Sequence, residues 1–208
     1  MQLIGYLDSP FVRRVAVTMQ FLGIDYQHRE LSIFRDFEEF SRINPMVKVP
    51  TLVLDDGQVL GDSSLIIDFL ESYVSGQSLM PEDKDDYLAA LRHIGTSLVA
   101  MEKVAQLVYE TSHRPENRQH GPWIERLEQQ LEGAAGIMES AVSACANTSD
   151  QWLLGERMTQ ADISTAVAWR FMMHIDKVKL QPDDFPALVA FSARAEALPE
   201  FMACPLSG

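Results

Sequence analysis

Three short segments in the first third of the chain place polar groups where a helix or a strand is expected to begin. In the first, Ser9 stands between an apolar run at residues 3–7 and Pro10. Proline fits the first turn of a helix because its φ is already helical and its missing N–H is not needed there. Ser9 is therefore expected at the N-cap, beside unpaired backbone N–H groups that favour an anion such as a thiolate. Simple capping of the helix would also explain the serine.

The other two segments carry groups that could hold a peptide. Pro50 directly precedes an apolar run that begins at Thr51. If the Val49–Pro50 bond is cis, the backbone N–H and C=O of Val49 face outward and can pair with an extended peptide. A trans proline at a strand edge is the alternative. Asp62 and Ser63 precede another helix, where they either cap it or help to bind a carboxylate.

A fourth motif, Thr159-x-x-Asp162, is typical of a capping box at the start of a helix. Met158 and Ile163 are placed to form the apolar contact that often accompanies such a box. The helix that follows is apolar on most sides, so it is expected to lie at the centre of its domain. We interpret this motif as structural, with a loss of about 0.5–2 kcal/mol when it is removed.

Composition limits the classes of function that are open to this chain of 208 residues. A net charge of −13 disfavours nonspecific binding to nucleic acid or to an anionic membrane surface. No apolar stretch approaches the roughly 20 residues that a membrane-spanning helix needs, and no signal peptide is visible. Cys145 and Cys204 lack metal or redox spacing, and no histidine pair has ligand spacing. We expect a cytoplasmic protein with no metal site, no nucleic-acid partner and no membrane partner.

Hydrophobic periodicity divides the chain into two domains. Strand and helix patterns alternate as β-α-β-α-β-β-α through residues 1–76, with an Asp-Asp-Gly turn joining a β-hairpin. Residues 77–86 are polar and acidic and are expected to form a linker. From residue 87 onward only helical spacing is found, in two long helices, a buried third one and a tail with short helices that Pro199 divides.

The order of these elements resembles that of the glutathione S-transferases over nearly the whole chain. The resemblance includes the phrase Asn44-Pro45-x-x-Lys48-Val49-Pro50-Thr51-Leu52 and the phrase Trp152-Leu153-Leu154-Gly155-Glu156-x-Met158-Thr159-x-Ala161-Asp162-Ile163. It implies an α/β thioredoxin-like N-terminal domain that binds glutathione, followed by an all-α C-terminal helical bundle. It also implies a homodimer.

The resemblance assigns roles to the three segments described first. Ser9 would stabilise the thiolate of glutathione, which acts as co-substrate and is the attacking nucleophile. Val49, before a cis Pro50, would pair with the cysteinyl backbone of glutathione. Asp62 and Ser63 would hold its γ-glutamyl end.

Several departures from the family pattern and ambiguities matter for these roles. No cysteine lies near position 9, which argues against the cysteine-type members. Tyr6 is an alternative to Ser9, because tyrosine-type members use a tyrosine near this position. Val47 stands where relatives often have glycine, and Asp62 where they often have Glu or Gln. Arg13 and Arg14 could help to hold the acidic peptide, but a solvated helix face is the simpler explanation and the one we expect.

The resemblance implies a transferase that joins the glutathione thiolate to a small, largely apolar electrophile, as in detoxification. A glutathione-dependent isomerase or dehalogenase could use the same site. A non-catalytic interaction module of the stringent starvation protein type could use the same fold.

Overall fold

The computed structural model describes residues 1–74, 76, 78–145 and 151–206, and the chain divides into two compact units. The first unit consists of Met1–Leu79 together with Ala197–Gly208, and the second of Met80–Glu196. This division differs from the expected boundaries, because the C-terminal segment joins the first unit instead of the helical domain and the first unit extends to Leu79. The first helix of the second unit begins at Lys84, within the segment expected to be a linker.

The first unit contains a mixed β-sheet with helices. Its strands are β1 (Gln2–Ile4), β2 (Gln27–Arg29), β3 (Thr51–Val53) and β4 (Val59–Gly61), and its helices are α1 (Pro10–Phe21), α2 (Phe37–Ile43), α3 (Ser63–Tyr73) and α8 (Pro199–Met202). The strands lie in the order β2-β1-β3-β4, with β1 parallel to β2 and antiparallel to β3. The predicted order of elements and the hairpin are confirmed. Strand β1 ends within the apolar run at residues 3–7, because the chain turns away at Gly5, whose φ is 131°.

Helix α1 packs its predicted apolar face into the core, where Val12, Val15 and Met19 are all fully buried. Arg13 and Arg14 were expected on a solvated face of this helix, and that expectation was wrong, since each side chain is only 1% exposed. Helical periodicity cannot show that a charged position is covered by a distant segment. The guanidinium of Arg13 lies 5.8 Å from the ring centre of Phe201 on α8, so the C-terminal segment covers this part of α1.

The second unit is built from helices α4 (Lys84–Val108), α5 (Gly121–Cys145), α6 (Gln160–His174) and α7 (Pro186–Glu196). A π-helical turn, Tyr109–His113, follows α4. Within the described parts of the chain, no helix is long and apolar enough to cross a membrane.

The predicted capping box at the start of α6 is confirmed. One oxygen of the buried Asp162 carboxylate accepts hydrogen bonds from the backbone N–H of Thr159 at 2.7 Å and from its hydroxyl at 2.6 Å. The other oxygen accepts from the backbone N–H of Leu153 at 2.7 Å. Burial raises the pKa of Asp162, whereas these hydrogen bonds act in the opposite direction. The carboxylate thus joins the preceding loop to the first turn of α6.

Candidate functional site

One row of paired residues in the sheet brings the three candidate segments to the same edge. Ile4 of β1 pairs with Thr51 of β3, and Thr51 pairs in turn with Gly61 of β4. Neighbouring strands lie about 4.8 Å apart, so three segments that leave one such row begin side by side. The segment with Ser9 follows Ile4, Val49 and Pro50 precede Thr51, and Asp62 follows Gly61.

Ser9 occupies the N-cap position of α1, with extended backbone angles, but its side chain makes no capping hydrogen bond. The expectation that its hydroxyl caps the helix is therefore not met in this structure. Among the described residues, the backbone N–H groups of Phe11 and Val12 also make no backbone hydrogen bond. A half-buried hydroxyl thus lies at a helix N-terminus whose partial positive charge is available to an anion.

Tyr6, the alternative hydroxyl, belongs to the same turn. Its carbonyl oxygen accepts a hydrogen bond of 3.2 Å from the backbone N–H of Ser9. Its ring lies against the guanidinium of Arg35, 5.3 Å from the ring centre. The cation packs on the face of the aromatic ring, an arrangement that gives Tyr6 a packing role of its own.

The Val49–Pro50 peptide bond is cis. Among the described residues, no backbone hydrogen bond involves Val49, so its N–H and C=O remain available. The loop that carries it is held from inside by Asn44, which is buried. The side-chain amide of Asn44 donates to the hydroxyl of Thr51 at 2.8 Å and its oxygen accepts from the N–H of Met46 at 3.0 Å.

Gly5 allows the turn after β1 to approach this loop closely. A Cβ atom at Gly5 would lie 2.8 Å from Cγ1 of Val49 and 2.7 Å from Cγ2 of Val12. No real Cβ has such close neighbours, and a φ of 131° is a conformation that side chains disfavour. The glycine thus lets Val49 lie beside the start of α1.

Asp62 and Ser63 form the start of α3. Oδ1 of Asp62 accepts from the backbone N–H groups of Ser64 at 2.8 Å and Leu65 at 3.4 Å. Asp62 therefore caps α3, as one of the two alternatives predicted, and these two N–H groups are already used by the chain. Asp62 has a φ of 68°, and such strained backbone is found often at functional sites.

A buried cation, the guanidinium of Arg14, contacts the start of α3. Nη1 of Arg14 donates to the hydroxyl oxygens of Ser63 and Ser64, each at 3.1 Å. Burial lowers the pKa of Arg14 to about 10, and the charge of Asp62 opposes this change. Arg14 is therefore protonated at neutral pH.

Three residues with a part in this edge of the sheet were not predicted as site residues: Gly5, Asn44 and Arg14. Gly5 and Arg14 act through contacts with Val49 and with the start of α3, which lie far away in the chain. Asn44 holds its own loop through Met46 and Thr51, and at the sequence level it was noted only within the phrase that carries the family resemblance. Ser64 was also missed as a partner of Arg14, although it directly follows a predicted residue.

The described residues contain no group of three or more His, Cys, Asp or Glu side chains that could hold a metal ion. Cys145 and Cys204 are both free thiols.

Comparison with known protein families gives matches over most of the chain. The model described as "Glutathione S-transferase, N-terminal domain" matches residues 3–78, and "Glutathione S-transferase, C-terminal domain" matches residues 64–199. The chain therefore belongs to the glutathione S-transferase family, and the fold predicted from the resemblance is confirmed.

Individual relatives are distant. The chain is 26% identical to a glutathione S-transferase of the zeta class from Euphorbia esula, over 97% of this chain and 88% of that protein. It is 23% identical to maleylacetoacetate isomerase from Rattus norvegicus, over 96% and 89%. The match to glutathione S-transferase U4 of Arabidopsis thaliana, 27% identical, spans only 43% of this chain and 40% of that protein.

Among solved structures, a glutathione S-transferase from Methylobacterium radiotolerans in complex with glutathione sulfonate has a TM-score of 0.86 and 25% identity. The alignment covers all of this chain and 95% of that one.

Proposed function

We propose that this protein binds glutathione at the sheet edge defined by Ile4, Thr51 and Gly61 and uses its thiolate as a nucleophile. The observation that carries the proposal is the pairing of these three residues in one row, which groups the segments of Ser9, Val49 and Asp62. A similar structure that holds glutathione sulfonate, a glutathione derivative, supports the choice of ligand.

The segments of Val49 and Ser9 would make different contacts with glutathione. The free backbone groups of Val49 would pair with the cysteinyl residue, as an added strand would. The uncapped N-terminus of α1 and the hydroxyl of Ser9 would lie near its sulfur. A free thiol has a pKa of about 8.5, so a hydrogen-bond donor and a helix N-terminus would raise the thiolate fraction at neutral pH.

The first experiment is calorimetric titration with glutathione, followed by conjugation to an aryl halide. We expect the Ser9→Ala variant to retain binding and to lose rate, because the hydroxyl stabilises the thiolate and not the peptide. The Tyr6→Phe variant is the matched control, since it removes the neighbouring hydroxyl. Loss of rate in Tyr6→Phe alone would reverse the assignment. Absence of binding at millimolar glutathione would leave the interaction module as the function.

A glutathione-dependent isomerase is the second candidate, because a zeta-class transferase and a maleylacetoacetate isomerase both align with nearly the whole chain. In that reaction the thiolate adds to a carbon–carbon double bond, rotation follows, and elimination releases glutathione unchanged. Isomerisation of maleylacetoacetate, measured beside aryl-halide conjugation, separates the two activities.

We also propose a homodimer. Val59, Leu65 and Tyr73 are large exposed side chains on β4 and α3 of the first unit, and Tyr87, Leu88 and Leu91 are exposed on α4 of the second. Apolar surface of this kind marks sites of association. Light scattering should give twice the chain mass, and Leu65→Arg should lower it, whereas Met202→Arg, at an exposed position on α8, should not.

A further inference from the structure

The buried guanidinium behind the start of α3 has a consequence for what this helix start can bind. Arg14 lies on α1, is 1% exposed and directs Nη1 to the hydroxyl oxygens of both Ser63 and Ser64. The nitrogen has two N–H bonds, so it can supply one to each serine.

These contacts determine the direction of the serine protons. A hydroxyl has one O–H and accepts through its lone pairs, and an oxygen that accepts from Arg14 cannot direct its own proton toward that cation. No other hydrogen bond of either hydroxyl occurs among the described residues. Ser63 is almost fully buried and Ser64 is half-buried, so only a small part of the pair is exposed. That part presents O–H donors to a ligand.

The charges around the start of α3 also favour a carboxylate as the ligand. Asp62 is exposed and its Oδ1 is occupied by the backbone N–H groups of Ser64 and Leu65. Its negative charge alone would repel a carboxylate and attract an ammonium group. The positive charge of Arg14, which contacts both serines, offsets this repulsion.

We propose that Arg14 is a positioning residue that makes the start of α3 selective for a carboxylate, by orienting the hydroxyls of Ser63 and Ser64 as donors and by balancing the charge of Asp62. The ligand group it selects is the α-carboxylate of an amino-acid end whose ammonium group lies toward Asp62. This inference rests on the proposed binding of glutathione, whose γ-glutamyl end carries both groups.

The test compares glutathione with 4-aminobutyryl-cysteinyl-glycine, which lacks only the α-carboxylate. We expect Arg14→Met to raise the Kd of glutathione about tenfold or more, the size of one hydrogen bond to a charged group, and to leave the Kd of the analogue unchanged. Arg14→Lys, which keeps the charge without the paired donors, should restore part of the loss for glutathione.

Arg13→Met is the matched control, because it removes an equally buried guanidinium from the same helix that makes no contact with Ser63 or Ser64 in the described structure. It should leave the ratio of the two Kd values unchanged. Equal weakening of both peptides by Arg14→Met would show a purely structural role and overturn the inference.

Two outcomes separate this inference from the proposed function. If the wild-type protein binds no glutathione, the proposed function fails and the inference fails with it. If Arg14→Met does not fold, Arg14→Lys decides, since it keeps the charge without the paired donors to Ser63 and Ser64. We then expect a higher Kd for glutathione and an unchanged Kd for the analogue, and unchanged discrimination between the two peptides would overturn the inference.

Discussion

Nε of Arg13 donates a hydrogen bond of 2.8 Å to the carbonyl oxygen of Cys204, two residues that lie 191 positions apart in the chain. Both residues are buried, and the same guanidinium packs on the ring of Phe201. Phe201 in turn meets Phe21 edge to face, with ring centres 6.2 Å apart. The short helix α8 is thus held by both ends of α1.

Removal of the Phe201 ring should destabilise the first unit. The side chain is fully buried, so Phe201→Ala should lower the free energy of unfolding by about 3–5 kcal/mol, because it deletes apolar contacts and leaves a cavity. Urea denaturation measures the change. Met202→Ala is the control, since this neighbour is 60% exposed and should change stability by less than about 0.5 kcal/mol. Similar losses in both variants would contradict the packing described for α8.

Gly5→Ala should impair both stability and glutathione binding. The added methyl would meet Val12 and Val49 at under 3 Å in a backbone conformation that alanine disfavours. We expect a loss of more than about 2 kcal/mol in the free energy of unfolding and a higher Kd for glutathione, because Val49 must move. Gly136→Ala on α5 has no neighbour within 4 Å of the new Cβ and should be neutral or slightly stabilising.

Asn44 should matter for binding because it holds the loop that carries Val49. Asn44→Ala removes the hydrogen bonds to Thr51 and Met46 and should cost about 2 kcal/mol of stability. Calorimetry should show weaker glutathione binding at temperatures where the variant remains folded. Ser41→Ala is the control, as it removes an exposed hydrogen bond to the carbonyl of Glu38 on the adjacent helix α2. Unchanged binding by Asn44→Ala would show that the loop keeps its shape without this side chain.

The capping box at α6 offers a graded test within the second unit. Thr159→Ala should lose about 0.5–2 kcal/mol, whereas Thr159→Ser, which keeps the hydroxyl, should lose less. Asp162→Ala should lose about 3 kcal/mol or more, because it leaves the buried N–H groups of Leu153 and Thr159 without an acceptor. Denaturation in urea orders the three variants, and a larger loss in Thr159→Ala than in Asp162→Ala would contradict this account.

The stability of the second unit should depend on pH through His93 on α4. Burial, and to a smaller extent the charge of Arg92, lower the pKa of His93 below its usual value near 6.5. Between the two pKa values the unfolded chain binds more protons than the folded one, so stability rises with pH and is lost as pH falls below about 6.5. The free energy of unfolding of His93→Gln should change less between pH 5 and 7.5. Removal of an exposed imidazole by His120→Gln should not have the same effect.

The fold was predictable to a large extent because its signals are local. The hairpin, the capping box of Thr159 and Asp162 and the periodic faces of the helices each depend on residues close together in the chain. The grouping of Ser9, Val49 and Asp62 depends on sheet register, and only the resemblance to a family connected them at the sequence level. Burial of Arg13 was not predictable, because its partner Cys204 belongs to another part of the chain.

Residues Ala197–Gly208 belong to the first unit although they follow the second unit in the chain, and this order matters during synthesis. Helix α8, which contacts Arg13, emerges from the ribosome only after the whole of Met80–Glu196. A nascent chain in which Met1–Leu79 has already emerged therefore still lacks the segment that contacts Arg13. The helical unit thus has its entire sequence available to fold first, whereas the α/β unit obtains α8 only afterwards.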